Sequence, residues 1–193
     1  MVCQVCRRVA PRPICQSCLE QLRRAPDRIL PGGLRLVAPF EHEGPARALI
    51  HHLKYRGVTT FADVVAAELR SKLPDLPVVP VPRVWSRRIK YGVDPTAVLA
   101  SRLGRPVLRL LVPPLHSKRR AGGDHTQPAP VFHLRRGYDG EVIVLDDVVT
   151  SGATINAAVQ TLGAERVMLA AAANVATGQR TSTALRPSVS ARS

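Results

Sequence analysis

The sequence predicts an α/β fold that is built on a parallel β-sheet and preceded by a small cysteine-containing module. Three observations lead to this prediction. The four branched apolar residues at 142–145 are typical of a strand that is buried on both faces. Segments with helical apolar spacing alternate with short apolar runs along the rest of the chain. All four cysteines lie within the first 18 residues.

Composition and charge limit the class of protein. A chain of 193 residues is long enough for one α/β domain and a small accessory module. The net charge is +14, and residues 83–136 hold twelve Lys or Arg against two acids. This concentration suits a polyanion such as a pyrophosphate, a nucleotide or a nucleic-acid backbone, and solvated surface in an Arg-rich proteome explains it equally well. Because the sequence has neither an 18-residue apolar run nor a signal-peptide pattern, we expect a cytoplasmic protein without membrane insertion.

The cysteines form two Cys-x2-Cys pairs that are separated by eight residues: Cys3, Cys6, Cys15 and Cys18. Two facing pairs make a tetrahedral thiolate set suited to structural zinc, with no position left open for catalysis. The metal would supply the folding energy of a segment, residues 1–24, that has almost no core of its own. The alternatives are two disulfides, which a reducing compartment disfavours, and a redox Cys-x2-Cys pair, which would not need to be doubled.

The predicted elements follow in chain order from their spacing and their end signals. They are a short helix at 19–24, a linker at 26–33, a strand at 34–40, a helix from Gly44 that ends at Gly57, a helix from Thr59 or Thr60, a proline-ended strand at 76–82, a helix from Asp94 to about Leu103 and a strand at 107–112. Segment 113–140 has little periodicity, and its basic, glycine-containing tip with Lys118, Arg119 and Arg120 predicts a mobile flap. A helix at 155–162, a strand at 165–173 and a disordered tail at 175–193 complete the chain.

Two aspartates, Asp146 and Asp147, follow the strand at 142–145 where it is expected to end, and a loop of small and hydroxyl residues leads into the next helix. Ligands of parallel sheets bind at the carboxyl ends of strands, where a helix N-terminus offers free N–H groups to an anion. Gly152 and Ala153 would let the backbone close around a phosphate. Since carboxylates repel phosphate, the aspartates are expected to bind sugar hydroxyls or a metal ion. An ordinary buried strand and turn would explain neither the paired aspartates nor the loop.

The thirteen residues at 142–154 resemble the phosphoribosyl-pyrophosphate (PRPP) motif of type I phosphoribosyltransferases, and all 13 positions fit. The resemblance implies a type I phosphoribosyltransferase fold. It also implies that Asp146 and Asp147 are catalytic residues that hold the ribose hydroxyls, while residues 150–154 hold the 5-phosphate. The PRPP-binding residues would then be Asp146, Asp147, Val148, Val149, Thr150, Ser151, Gly152, Ala153 and Thr154.

Over residues 3–173 the chain resembles the ComF family, which is named for competence and DNA uptake. The resemblance rests on the order of the four-cysteine module, Leu53-Lys54-Tyr55-Arg56-Gly57, Val79-Pro80-Val81-Pro82 and the PRPP motif. It implies a phosphoribosyltransferase domain at 34–174 and structural zinc in the N-terminal module. Pyrophosphate and its Mg²⁺ would be held by Lys54, Arg56, Pro80, Val81 and Pro82, under a flap at 117–127.

The chain departs from the ComF pattern in two places. The usual Arg-Gly-Phe-Asn-Gln-like segment is replaced by Tyr91-Gly92-Val93-Asp94-Pro95, and the flap is reduced. Both changes fall on the presumed acceptor and flap regions, so that PRPP binding is better supported than turnover.

Two functions are therefore weighed. The first is transfer of a phosphoribosyl group to a nitrogen acceptor with release of pyrophosphate. The second is a non-catalytic accessory protein of DNA uptake that binds PRPP or a nucleotide and contacts single-stranded DNA or the uptake machinery. The basic half has too few aromatic residues for a stacking platform, namely Trp85, Tyr91 and Phe132, so DNA contacts would be mostly to phosphates. The sequence specifies neither the acceptor nor the oligomeric state.

Overall fold

A computed structural model of the chain describes residues 1–114 and 130–176. In these residues the helices are α1 Gln16–Glu20, α2 Gly44–Arg56, α3 Thr60–Arg70, α4 Trp85–Tyr91, α5 Pro95–Arg102 and α6 Ala153–Leu162. The strands are β1 Arg28–Ile29, β2 Arg35–Val37, β3 Phe40–Glu41, β4 Val78–Pro80, β5 Leu111–Val112, β6 His133–Leu134, β7 Val142–Val149 and β8 Val167–Val175. The predicted α/β fold is confirmed.

The main sheet is mixed but mostly parallel, with the strand order β1-β2-β8-β7-β4. Strands β2, β3, β7 and β4 are joined to the sheet by parallel pairing, and β1 is antiparallel to β2 at one edge. A parallel bridge between Val78 and Val107 extends the sheet beyond β4. The last strand of the described residues, β8, thus lies in the middle of the sheet.

Both faces of the sheet are covered. Helices α2, α3 and α5 cover one face, on which they bury side chains such as Leu53, Phe61 and Leu99. Helix α6 and the residues around the β5–β6 ribbon cover the other face. Strand β7 places Ile143 and Leu145 in the first cluster and Val142 and Val144 in the second. Burial on both faces is the reason for its uninterrupted apolar run.

The N-terminal module packs directly on the first of these clusters. Cys3, Ala10, Ile14 and Cys18 are buried in the same core as α2 and α3. The Gln4 side-chain amide donates a hydrogen bond of 3.2 Å to the hydroxyl of Thr60 at the start of α3. Residues 23–25 also pair with 39–41, so backbone hydrogen bonds continue from the module into the domain.

Several predicted boundaries were wrong. The first helix begins at Gln16 rather than at residue 19, and the segment predicted as a linker contains β1. The strand predicted at 34–40 is divided into β2 and β3, because Pro39 has no N–H to donate to a ladder. The basic segment after Pro82 forms α4, which has no buried residue and therefore lacks the apolar periodicity that predicts a helix.

Other predictions concern residues beyond those described. Lys118, Arg119 and Arg120 of the predicted flap lie outside the described residues, as does the predicted tail from residue 177 onward. In the parts at 1–114 and 130–176, no helix is both long enough and apolar enough to cross a membrane.

Candidate functional site

The carboxyl ends of β3, β4, β7 and β8 lie at one edge of the sheet, since these strands are parallel. The acidic pair lies within β7 rather than after it, which corrects the predicted strand end. The ladder between β7 and β8 continues through Asp146 opposite Ala172 and Val148 opposite Asn174. The carboxylates therefore project from a fixed strand instead of a loop.

Asp146 is almost completely buried, with 9% of its surface exposed. Its Oδ1 accepts a hydrogen bond of 2.7 Å from the backbone N–H of Asp147. Burial raises the pKa of Asp146 to about 7, and the Asp147 carboxylate adds to the rise, while that N–H and the Lys54 ammonium oppose it. A carboxyl group with this pKa can gain or lose a proton near neutral pH.

Lys54 projects from α2 to the acidic pair. Its Nζ lies 2.8 Å from Oδ1 of Asp147, and both side chains are mostly buried. The resemblance to the ComF family implies that Lys54 and Arg56 both hold the pyrophosphate. Residues two apart on a helix point about 200° apart, so Arg56 lies exposed on another side of α2.

The loop that follows β4 lies beside the acidic pair. Pro80 is in register with Leu145, and the N–H of Val81 donates to the Leu145 carbonyl at 2.8 Å. The structure thus brings Pro80, Val81 and Pro82 next to the strand that carries Asp146.

Arg83, directly after this loop, joins several elements of the site. Its Nη1 donates to the carbonyls of Lys54 and Val93, at 2.7 and 3.0 Å. Its backbone N–H donates to Asp94 at 3.3 Å, and its guanidinium lies over the rings of Tyr55 and Tyr91. Sequence analysis did not single out Arg83, although its place directly after a strand-ending proline was a usable signal.

A second polar pair lies at the end of β8. The Asn174 side-chain amide is completely buried and donates to the Ala46 carbonyl at 3.1 Å, with Nδ1 of His42 at 3.3 Å. Its Oδ1 has no hydrogen-bond partner among the described residues. Burial lowers the pKa of His42, and the cations Lys54 and Arg47 lower it further, so His42 is neutral at pH 7. An asparagine inside an alanine-rich strand was the signal for this pair.

The loop at 150–152 leads into the N-terminus of α6. Gly152 has φ +84°, and a Cβ at this position would lie 3.0 Å from Cδ2 of Leu30. The first bond of the helix runs from the N–H of Asn156 to the Gly152 carbonyl at 2.9 Å. The N–H groups of Thr154 and Ile155 precede that bond and have no partner within the helix. Exposed hydroxyls at Thr150 and Ser151 lie beside them.

The four cysteines meet in one cluster, with all Sγ atoms within 4.8 Å of one another. Zn–S bonds of about 2.3 Å in a tetrahedron place the sulfurs about 3.8 Å apart. The Sγ atoms of Cys6 and Cys15 are 3.7 Å apart, which fits this geometry. The cluster therefore has the composition and size of a structural zinc site.

The protein supplies hydrogen bonds to this cluster. The backbone N–H groups of Val5 and Cys15 donate to Sγ of Cys3 at 3.5 and 3.4 Å. Burial opposes ionisation of this thiol, but the backbone N–H donors outweigh it and lower the pKa of Cys3 to about 6. Burial raises the pKa of Cys18 to about 12. A bound cation would favour the thiolate at every position.

Comparison with protein-family models found no match for this chain, and comparison with curated proteins found none. The family resemblance thus stays a prediction from the quoted residues.

Proposed function

We propose that this protein binds PRPP with Mg²⁺ at residues 146–154 and transfers its phosphoribosyl group to a nitrogen acceptor, with release of pyrophosphate. One observation carries the proposal: the acidic pair Asp146 and Asp147 on β7 is followed within five residues by Gly152, which precedes the N-terminus of α6. Carboxylates suit sugar hydroxyls, and helix N–H groups suit a phosphate. The acidic pair and the helix N-terminus therefore match the hydroxyl groups and the phosphate of a ribose 5-phosphate. The resemblance to the ComF family supports the same function.

In this proposal Asp146 and Asp147 accept hydrogen bonds from the ribose hydroxyls. The 5-phosphate lies at the free N–H groups of Thr154 and Ile155. Lys54 fixes the Asp147 carboxylate in place before the ligand arrives, because the ion pair links α2 to β7. Most of the rate enhancement would come from this positioning and from charge stabilisation.

The displacement occurs at the ribose C1 carbon. The bond from C1 to the pyrophosphate oxygen breaks and its electron pair leaves with pyrophosphate, while the nitrogen lone pair forms the new bond and the N–H proton passes to water. Bound Mg²⁺ would offset the charge of pyrophosphate and would be held mainly by substrate oxygens, and the carboxylates of Asp146 and Asp147 are chemically suitable further ligands.

Calorimetric titration of PRPP with Mg²⁺ tests the binding step. We expect micromolar affinity in the intact chain and at least about tenfold weaker binding in Asp147→Asn. Asp139→Asn is the matched control, because the Asp139 side chain is fully exposed and forms an ion pair with Arg166 on the surface. Absence of binding to the intact chain, or equal weakening in both variants, contradicts the proposal. Pyrophosphate release with a panel of amine and nitrogen-base acceptors then tests transfer.

A second candidate function rests on α4. This helix exposes 40% of Trp85 and 76% of Ile89 among Arg87, Arg88 and Lys90. An exposed aromatic side chain among cations suits a nucleic-acid strand, in line with the accessory role in DNA uptake. Single-stranded DNA should then bind with a steep salt dependence and more weakly in Trp85→Ala, whereas salt-independent or absent binding contradicts this role.

A further inference from the structure

His42 lies at the same edge of the sheet as the acidic pair. It directly follows β3, and its backbone N–H donates to the Val175 carbonyl of β8 at 2.8 Å. One residue earlier on β8, Asn174 is in register with Val148 of β7, while β3 pairs with the other side of β8. Backbone pairing thus holds His42 two strands away from Asp147, the residue before Val148.

The contacts of Asn174 fix the position of the proton on the His42 ring. Nδ2 of Asn174 lies 3.1 Å from the Ala46 carbonyl oxygen and 3.3 Å from Nδ1 of His42. Because a carbonyl oxygen can only accept, the atom beside it is the NH2 group of the amide and not its oxygen. The second N–H of that group is directed to Nδ1, which must therefore accept. The proton of the neutral imidazole then lies on Nε2.

The charged groups near His42 keep its ring neutral. They are Arg47 and Lys54 of α2 and the carboxylate of Asp147. Burial lowers the pKa of His42, and the two cations lower it further, which together outweigh the opposite effect of Asp147. His42 thus presents a neutral N–H donor near pH 7. Such a donor suits an uncharged oxygen, whereas a phosphate is bound more strongly by cations.

Asn174 is an unfavourable residue for the fold at this position. Its side chain is completely buried in an alanine-rich strand, and its Oδ1 has no hydrogen-bond partner in the described parts of the chain. The Ala46 carbonyl lies in the first turn of α2, where the helix supplies its own N–H donor. Since an unpartnered buried oxygen is unfavourable, the hydrogen bond to His42 is what an asparagine contributes here.

The outer edge of the His42 ring has an unused donor. His42 is half-buried, and its Nδ1 faces the completely buried Asn174, so Nε2 lies on the more exposed side. Within residues 1–114 and 130–176, Nε2 forms no hydrogen bond. Asp147 has an unused acceptor nearby, because Lys54 pairs with its Oδ1 and leaves Oδ2 available. A hydroxyl group, which donates and accepts at once, satisfies both residues together.

We propose that His42 is a further substrate-binding residue, which donates its Nε2–H to a ribose hydroxyl whose own hydrogen is donated to Asp147. Asn174 is the positioning residue that holds the His42 ring in the required tautomer. This inference rests on the proposed binding of PRPP. A deoxyribose would leave the His42 donor and the Asp147 acceptor without partners, so the site should select ribose phosphates over deoxyribose phosphates.

Ribose 5-phosphate and its 2-deoxy and 3-deoxy analogues are matched probes, since each analogue lacks one hydroxyl and keeps the phosphate. In ligand-observed NMR titrations, ribose 5-phosphate should bind at least about tenfold more tightly than one of the analogues. His42→Asn keeps an acceptor for Asn174 but has no group at the place of Nε2. It should weaken ribose 5-phosphate about fivefold and leave the affinity for that analogue unchanged.

His42→Gln separates binding from a structural role. The amide of glutamine reaches the place of Nε2 and offers an N–H there, so this variant should recover most of the preference for ribose. A purely structural role would instead be served better by asparagine, which keeps the contact with Asn174. His133→Asn is the control, because His133 is exposed on β6, and it should change neither affinity.

Three results would overturn the inference: equal weakening of ribose 5-phosphate and its analogues in His42→Asn, no recovery in His42→Gln, or an Nδ1–H tautomer of His42 in nitrogen NMR spectra. A parallel titration of PRPP into the intact chain separates the two proposals. If PRPP binds and no preference depends on His42, only the role of His42 is wrong. If neither PRPP nor ribose 5-phosphate binds, the proposed function is wrong and the role of His42 falls with it.

Discussion

The ammonium of Lys54 lies 2.8 Å from the carboxylate of Asp147, with 23% and 16% of the two side chains exposed. This ion pair connects helix α2 to the strand that carries the acidic pair. The backbone carbonyl of the same lysine accepts a hydrogen bond from Arg83, which follows the β4 loop. Lys54 of α2 thus connects the acidic pair on β7 to the segment that follows β4.

The Lys54–Asp147 pair should stabilise the fold measurably because it is mostly buried. A double-mutant cycle with Lys54→Met and Asp147→Asn, measured by urea unfolding, should give a coupling free energy of about 1–2 kcal/mol. The exposed pair Arg102–Asp63, with an N···O distance of 3.3 Å, is the control. Its cycle should give about 0.5 kcal/mol or less. Equal coupling in the two cycles would show that burial does not strengthen the first pair.

Asp146 should make the stability of the protein fall as pH rises. Its pKa is about 7 in the folded chain and close to 3.8 when unfolded, so the folded chain binds more protons between these values. The contribution of Asp146 to the free energy of unfolding should therefore decrease from about pH 4 to about pH 7 and then level off.

Asp146→Asn tests this assignment, because it removes the titrating group while keeping a similar shape. We expect urea unfolding at a series of pH values to show a smaller decrease in the free energy of unfolding for Asp146→Asn. The difference from the wild type should be on the order of 1–3 kcal/mol. Asp139→Asn should leave the profile unchanged. A wild-type slope that survives in Asp146→Asn would assign the titration to another group.

Gly152 is expected to tolerate no side chain. Gly152→Ala forces an unfavourable φ of +84° and places a methyl group 3.0 Å from Leu30, so we expect a loss of about 1–3 kcal/mol and weaker PRPP binding. Gly33→Ala isolates the contact, because Gly33 has φ +85° and nothing within 4 Å of its added Cβ. Equal losses in thermal unfolding of the two variants would assign the whole effect to backbone strain.

Metal removal should destabilise the entire domain and not only its N-terminus. Cys3 and Cys18 pack in the same core as α2 and α3, so loss of zinc would loosen that core. We expect about one zinc per chain by atomic emission, and a melting temperature lower by about 10 °C in chelator or in Cys18→Ser. The neighbouring exposed substitution Ser17→Ala should change neither value. A metal-free chain with an unchanged melting temperature would refute the zinc assignment.

Apolar patterning predicted the central part of the fold. The run at 142–145 identified the doubly buried strand, and the spacing of Ala46, Leu49, Ile50 and Leu53 identified α2, which Gly57 ends as expected. The Asp94-Pro95 pair also predicted the start of α5, where the Asp94 side chain caps the Ala97 N–H. These signals are local, and the chain obeys them because each element buries a complete apolar face.

What could not be predicted depends on contacts between distant residues. The end of β7 was placed before Asp146, because a carboxylate inside a central strand is unfavourable until a partner such as Lys54 is brought from α2. The pairing of β5 with β6 also depends on distant residues, namely Leu111 with Leu134 and Val112 with His133. Strand β5 lies within the strand predicted at 107–112, whereas β6 was not predicted, because its two residues are exposed and form no apolar pattern.

The central position of β8 has a consequence for synthesis of the chain on the ribosome. Since β8 lies between β2 and β7 and follows both in the chain, each of these strands keeps one edge unpaired until residues 167–175 have left the exit tunnel. Until then the nascent chain exposes two unpaired apolar strand edges. If the first 18 residues bind zinc early, the N-terminal module would fold before the sheet is complete. Because the two strand edges stay unpaired, we expect stalled or truncated chains to be substrates for chaperones.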